Sequence, residues 1–242
     1  MFPPKNGQPR RIDVEHGLPS NKVRSLAVLD SKLFAGFDDG YLAAYDLKAD
    51  YCEVLASSRR KQKLSPFDDG DPFRVPMLVA DSTRDRIVFV IGNHVWQYTM
   101  DGRFAALVDL VELAKGRSEP KMVGNNITWS SPRRGDRVYM SNAFHVIEID
   151  LSKDRGTELH APEFGIYPLH PPHLLIGGQL WASGSFARLS LDKREFQSLP
   201  HPGGGTTPFR PTACLELTAE GRQIIAADQF WVWLLDLPNV DD

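Results

Sequence analysis

VYMSNAFHVIEIDL (Val138 to Leu151), LWASGSFARLSLDK (Leu180 to Lys193) and IIAADQFWVWLLDL (Ile224 to Leu237) align without gaps in one fourteen-residue register. They share an aromatic at Phe144, Phe186 and Phe230 and an aspartate at Asp150, Asp192 and Asp236. A fourth copy, LFAGFDDGYLAAYDL from Leu33 to Leu47, fits with one extra residue and carries its aspartate at Asp46. A weaker fifth copy, VFVIGNHVWQYTM, runs from Val88 to Met100. Internal repetition at a fixed period is the mark of an array in which each unit buries its apolar face against the next.

Within a copy, alternating apolar residues lead into a small or polar cluster, and a second alternating run ends at the aspartate, which reads as two strands and a tight turn. The turns fall at Phe37 to Gly40, Gly92-Asn93, Asn142-Ala143, Gly184-Ser185 and Asp228-Gln229. A short apolar run precedes each hairpin: Val23 to Leu29, Pro76 to Ala80, Ile127 to Ser130, His173 to Ile176 and Thr212 to Leu217. A fourth run follows most of them, at Tyr51 to Ala56, Arg103 to Val108, Gly156 to His160 and Arg194 to Leu199. Four antiparallel strands per unit, recurring every 40 to 50 residues or so, predict an all-β chain folded as a β-propeller. The expected blades cover residues 16–58, 75–108, 125–160, 172–199 and 211–237, all in a single domain spanning 1–242. The last unit lacks its outer strand before Pro238, and Arg11 to Glu15 (RIDVE) is expected to supply it, closing five four-stranded blades into a ring without open edges.

The segment HGLPSNKVRSLAVLD from His16 to Asp30, with the turn at Gly40-Tyr41, resembles the two-component regulator propeller repeat, a WD40-like β-propeller repeat. The resemblance covers about one blade, from His16 to Leu47. The other units lack its Gly-Leu-Pro, and Leu33-Phe34-Ala35-Gly36 stands where that family usually has a Trp-containing strand. It implies a propeller of the sensor or interaction kind and carries over no catalytic residue.

Composition narrows the functions. With 242 residues, 42% hydrophobic and 24% charged, the chain has the make-up of an ordinary globular domain with a sizeable core. A net charge of −3 supplies no global field for nucleic acid, and the basic run Arg59 to Lys63 has no interleaved aromatics. No run approaches the ~18 apolar residues of a spanning helix, and MFPPKNGQPRRIDVEHG has no leader-like apolar core, so the expected location is cytoplasmic, without a membrane partner. Cys52 and Cys214 read as buried, reduced thiols. His160, His170, His173 and His201 fall in two adjacent links, but prolines hold His170 and His173 extended with no Cys or acidic ligand nearby, and Asp68 to Asp71 lacks the closing glutamate of a calcium loop, so neither metal nor cofactor is expected.

Strand alternation decides which loops share an end. The hairpin between second and third strands emerges beside the link to the next unit, and those links are long: Arg59 to Val75, Asp109 to Asn126, His160 to Pro172 and Pro200 to Pro211. Pro72-Phe73-Arg74 and Pro208-Phe209-Arg210 occupy equivalent points in two of them, and the corresponding position carries Lys22 or Arg24 in the first unit, Lys121 in the third and His170 or His173 in the fourth. A ring of such donors suits a carboxylate, a phosphate or an acidic peptide. The expected function is thus a non-enzymatic binding or interaction module for a protein, a peptide or a small anionic ligand. Its candidate site comprises Arg74, Arg210, Lys22, Lys121, His173, Phe73 and Phe209. The alternative is a sugar-active hydrolase or lyase with Asp38, Asp39 and Asp228 as channel-mouth carboxylates. The recurring aspartates at the ends of the third strands are read instead as turn formers.

If the register is right, Phe144, Phe186 and Phe230 all lie at sheet contacts. Phe186→Ala is then expected to cost about 3–5 kcal/mol in a denaturant titration, and a parent-like midpoint would mean the register is wrong.

Overall fold

The computed structural model describes residues 11–57, 75, 77–113, 133–141, 146–160, 173–176, 179–182, 187–190, 196–198, 213–216, 223–227 and 232–236. From residue 173 onward the structure describes the backbone, and of the side chains only Val232, Leu234 and Asp236, which are exposed. Among these residues the architecture is antiparallel β, arranged as five separate sheets. The first sheet holds β1 (Val23–Leu29), β2 (Lys32–Phe37), β3 (Tyr41–Asp46) and β4 (Tyr51–Ser57). β5 (Leu78–Asp81), β6 (Arg86–Ile91), β7 (His94–Thr99) and β8 (Phe104–Asp109) form the second. The third has β9 (Arg133–Arg134), β10 (Arg137–Ser141), β11 (Val146–Asp150) and β12 (Arg155–His160). In the fourth are β13 (His173–Ile176), β14 (Gln179–Ala182), β15 (Ala187–Ser190) and β16 (Phe196–Ser198). β17 (Ala213–Glu216), β18 (Gln223–Ala227) and β19 (Val232–Asp236) make a three-stranded fifth. Each sheet is a meander in chain order, as the repeat predicts.

The chain divides into two compact units, 1–106 and 107–242. In the first unit the pleat sends alternate residues of the first sheet to two different cores. Phe34, Leu42, Ala44 and Ala56 face the second sheet and are buried with Val75, Leu78, Ile87 and Phe89. Ala35, Phe37, Ala43 and Tyr45 line the other face, covered by Leu18 and the partly buried Ile12. Val75 is the stitch between the sheets: its N–H donates to the Phe37 carbonyl at 3.3 Å, and its own carbonyl accepts from the Ser25 hydroxyl at 2.6 Å. Gly36 makes this approach possible, since a Cβ there would fall 2.6 Å from both Ser25 Oγ and Val75 Cβ.

Three features differ from the sequence reading or add to it. Arg11 to Glu15 does not form a strand: Val14–His16 is a turn of 3-10 helix, capped by the Asp13 carboxylate, which accepts from the Glu15 N–H at 2.9 Å. The segment does not join the fifth sheet, and it covers a face of the first through Ile12 and Leu18 instead. Second, the described leading strand of the third sheet is Arg133–Arg134, pairing Arg137 with Arg134 across the turn at Gly135; Ile127 to Ser130 lie outside the described residues. Third, the link after β8 opens with a short helix, α1 (Leu110–Leu113), because Asp109 accepts from the N–H groups of Val111 and Glu112. It packs at Gly156 of β12, where a Cβ would meet Leu113 Cδ1 at 2.5 Å. Phe144, Phe186 and Phe230 fall outside the described residues.

Because the atoms facing Gly36 include the branched Cβ of Val75, which cannot swing away, Gly36→Ala is expected to destabilise by about 1–3 kcal/mol through overpacking. Thermal melts against Gly92→Ala, whose added methyl meets nothing within 4 Å, separate the packing effect from backbone strain.

Candidate functional site

Each meander has two unlike ends. At one, the turns are short and lock onto each other. The N–H just after the third strand donates to the carbonyl just before the second strand in three sheets: Leu47 to Ser31 at 2.9 Å, Met100 to Asp85 at 3.0 Å and Leu151 to Asp136 at 2.8 Å. The recurring aspartates sit here as expected. Asp46 Oδ1 accepts from the N–H groups of Lys48 and Ala49, and Asp150 Oδ1 from the N–H and hydroxyl of Ser152. Hydrogen bonds to the ionised form hold both carboxyls below the usual range. For Asp46 the Ala49 N–H leads, while for Asp150 the Ser152 hydroxyl leads and the value falls to about 2. A second aspartate closes each turn in the left-handed region, Asp50 at φ 58° and Asp154 at φ 52°, a conformation that Asp tolerates better than most residues. Asp50 also accepts from the Tyr45 hydroxyl.

The opposite end of the first sheet carries the β2–β3 hairpin. Its tip is pinned by the segment preceding β1: the Asp38 N–H donates to the Lys22 carbonyl at 2.9 Å, and the Ser20 hydroxyl to Asp39 Oδ2 at 2.9 Å. Ser20 Oγ accepts in turn from the Lys22 N–H at 3.0 Å. Arg24 Nε stands 4.0 Å from Asp38 Oδ1, with both side chains about two-fifths exposed. Lys22 is exposed beside them. This end therefore mixes cations with two carboxylates that already have partners, Arg24 on β1 and Ser20 just before it.

The Gly-Leu-Pro segment is explained by this pinning. Gly17, at φ 91°, ends the 3-10 turn with its N–H on the Val14 carbonyl. Leu18 is the apolar plug, Ser20 holds the hairpin, and Asn21 Oδ1 accepts from the Val14 N–H at 3.3 Å. Asp13 collects the segment, bonded to His16 Nδ1 and paired with Arg11 Nε at 2.8 Å. Its carboxyl is lowered first by His16.

Of the expected anion-site residues, Lys22 lies at the hairpin end of the first sheet, and His173 is the first residue of β13. Arg74, Arg210, Lys121, Phe73 and Phe209 lie outside the described residues, as does Asp228 of the acidic alternative. Arg24, the alternative to Lys22 at that position of the first unit, is exposed on β1 at the same end. Among the described residues no group of three or more His, Cys, Asp or Glu is placed to hold a metal ion. No described helix is long and apolar enough to cross a membrane. Cys52 is a free, half-buried thiol pushed up by desolvation and then by Glu53.

No protein-family model matches the chain, and no curated protein does. Solved structures do. An extracellular domain of a putative one-component system from B. thetaiotaomicron superposes with TM-score 0.62 at 15% identity, over 94% of this chain and 28% of that one. The extracellular domain of a putative hybrid two-component system from the same organism gives 0.56 at 14%, over 94% and 35%. The Swd1 β-propeller domain of Myceliophteria thermophila gives 0.54 at 13%, over 93% and 68%. The chain is thus similar in fold to β-propellers, and it spans about a third or less of the two extracellular domains.

The Asp150 turn makes a pH prediction. Its folded value of about 2 lies below the ordinary 3.8, so its contribution is complete above pH ~4 and is lost as pH falls toward 2. Asp150→Asn keeps a turn acceptor but no charge. The stability gap between parent and variant in urea titrations is expected to be widest at neutral pH and to close over that window. A gap independent of pH would show that the ionised form is not favoured in the fold.

Proposed function

We propose that this chain is a non-enzymatic binding module, a single β-propeller domain whose sheets act as blades and whose hairpin-and-link end receives a protein, peptide or small anionic ligand. The observation that carries this reading is the asymmetry of the sheets. Short turns, tied to each other by backbone hydrogen bonds, close one end, where a ligand would find few free donors. The chain leaves β4 at the other end and returns to β5 after a long segment rich in Pro, Phe and Arg. Loops of that kind on a rigid scaffold are where binding residues concentrate.

Charge supports an anion. Lys22 and Arg24 already stand at the hairpin end of the first sheet, and the tripeptides ending in Arg74 and Arg210 enter their sheets from the same kind of link. With Lys121 and His173 they make a set of forked and single donors suited to carboxylate or phosphate oxygens. The sugar-cleaving alternative needs a pair of carboxylates free to work on substrate; here Asp38 meets Arg24 and Asp39 takes a hydroxyl bond from Ser20. The similar structures include extracellular domains, so likeness of fold lends no support to the cytoplasmic location expected from the N-terminal sequence.

The test is isothermal titration with phosphate, sulfate and an acidic peptide. Arg74→Ala and Arg210→Ala are each expected to weaken binding about tenfold to a hundredfold, the equivalent of losing a charge-assisted hydrogen bond of ~1.5–3 kcal/mol. Parent protein that binds none of these anions, or variants that bind as the parent does, would remove the site.

A further inference from the structure

β4 is the outer edge of the first sheet: it pairs with β3 alone, and among the described residues no backbone group of Tyr51 to Leu55 bonds outside that ladder. Natural sheets blunt such edges with Lys, with Pro or by keeping them short. β4 has seven residues and neither Lys nor Pro. It leaves Tyr51 64% and Val54 44% exposed, one on each face of the strand, whereas β8, the outer strand of the second sheet, has Val108 buried and Phe104 and Leu107 partly buried. Two features bound the usable stretch. The turn at Asp50, in the left-handed region, ends it on one side. On the other, Leu42 pairs with Ala56 and Ala43 with Val54, so Leu55 is the extra residue of a bulge. Between them Tyr51 to Val54 run in regular register, and alternate residues of that stretch turn their N–H and C=O groups away from β3.

The side chains define what fits. Glu53 stands opposite Ala44 and Tyr51 opposite Asp46, so both lie on the face toward the second sheet. Glu53 is exposed, and no described cation pairs with it. Tyr98 of the second sheet stands on that side, its ring 6.3 Å from that of Phe34, and its hydroxyl is pushed up by burial first and by Glu53 next. Cys52 and Val54, opposite Tyr45 and Ala43, lie on the other face. We propose that β4 is a docking edge for an extended peptide of a partner protein, which adds a strand along Tyr51 to Val54 and carries a lysine or arginine facing Glu53 between two apolar residues. Main-chain hydrogen bonds hold such a strand, and its side chains set the register. A residue across from Glu53 comes within ~5 Å of it and ~7–8 Å of Tyr51, so a long cation meets the carboxylate and the ring together. Its neighbours in the peptide turn to the other face, beside Cys52 and Val54, which is why they are apolar. A second copy of Tyr51 to Val54 brings no cation to Glu53. This edge is distinct from the hairpin-and-link end, and the proposal does not rest on an anion binding there.

Titration of the full chain with a short blocked peptide centred on Val-Arg-Val, and with its Val-Glu-Val counterpart, tests the proposal. The parent is expected to prefer the arginine peptide and Glu53→Lys the glutamate peptide, by about fivefold in each case. Methylating the backbone nitrogens of the peptide removes its main-chain donors and is expected to abolish binding to both proteins. At saturation, hydrogen exchange is expected to slow at the outward amides of Tyr51 to Val54. Glu53 is exposed, and unchanged circular dichroism verifies the fold of the variant. Parent protein that binds neither peptide, a preference that Glu53→Lys leaves unchanged, full binding of the methylated peptide, or outward amides that stay unprotected each overturns the proposal. Outward amides already protected in the free protein overturn it as well, whether a second copy or the chain itself holds the edge.

Discussion

One backbone hydrogen bond organises the sheets: the N–H that follows a third strand donates to the carbonyl that precedes the second. It recurs at Leu47, Met100 and Leu151 within 0.2 Å, from 2.8 to 3.0 Å. Closing the two short turns onto each other satisfies backbone groups that would otherwise depend on water and draws the meander's one end tight. Everything variable is then displaced to the other end. The aspartates reinforce the same bond from the side-chain direction, occupying N–H groups of the turn that β-strand pairing leaves over. A residue that recurs for this reason has no catalytic message, although its lowered pKa taken alone resembles one.

The second sheet achieves the same closure with different chemistry. Its turn lacks the repeated aspartate at the end of the third strand; Thr99 stands there, its hydroxyl accepting from the Arg103 N–H and donating to Asp101, while Asp81 at the end of β5 holds the start of β6. Asp81 is fully buried and paired with Arg86 Nε at 2.9 Å; Arg84 approaches it at 3.1 Å, and Arg86 continues to Gln97. Burying such charges costs much of what their attraction returns, so the cluster is better understood as fixing the register of β5, β6 and β7 than as a source of stability. Its position matches: Arg86 begins the second strand where Lys32 and Arg137 begin theirs. The weak fifth copy of the repeat, from Val88 to Met100, is therefore weak in sequence because another set of side chains holds its turn.

The strands were legible because a half-buried sheet imposes a period of two, and most strand ends fell within two or three residues of the alternating runs. The failures have local causes. Arg11 to Glu15 alternates like a strand, but Asp13 is a capping residue followed by Gly17, which is the pattern of a turn with a left-handed end. In the link after β8, Asp109 and Glu112 are three apart and begin an apolar run, a helix-start signal inside a segment read only as a long link. The two-residue strand Arg133–Arg134 carries no apolar periodicity at all, so nothing in its composition separates it from the turn beside it.

Function was less legible than fold for a reason built into the repeat. Residues that recur from unit to unit, Asp46 and Asp150 or Lys32 and Arg137, do so because each sheet solves the same closing problem. Residues that would recognise a ligand need not recur, since a ligand meets each sheet with a different part of itself. The Gly-Leu-Pro segment shows how far a resemblance reaches: its polar contacts described above run to the N-terminal turn, to the first hairpin or within the segment itself, so the motif reports how the first sheet is sealed. The informative residues are consequently the ones that break the pattern at constrained positions. Thr99 is such a residue, standing where the register elsewhere places Asp46, Asp150 and Asp236, and its turn is held instead by its own hydroxyl, which accepts from the Arg103 N–H.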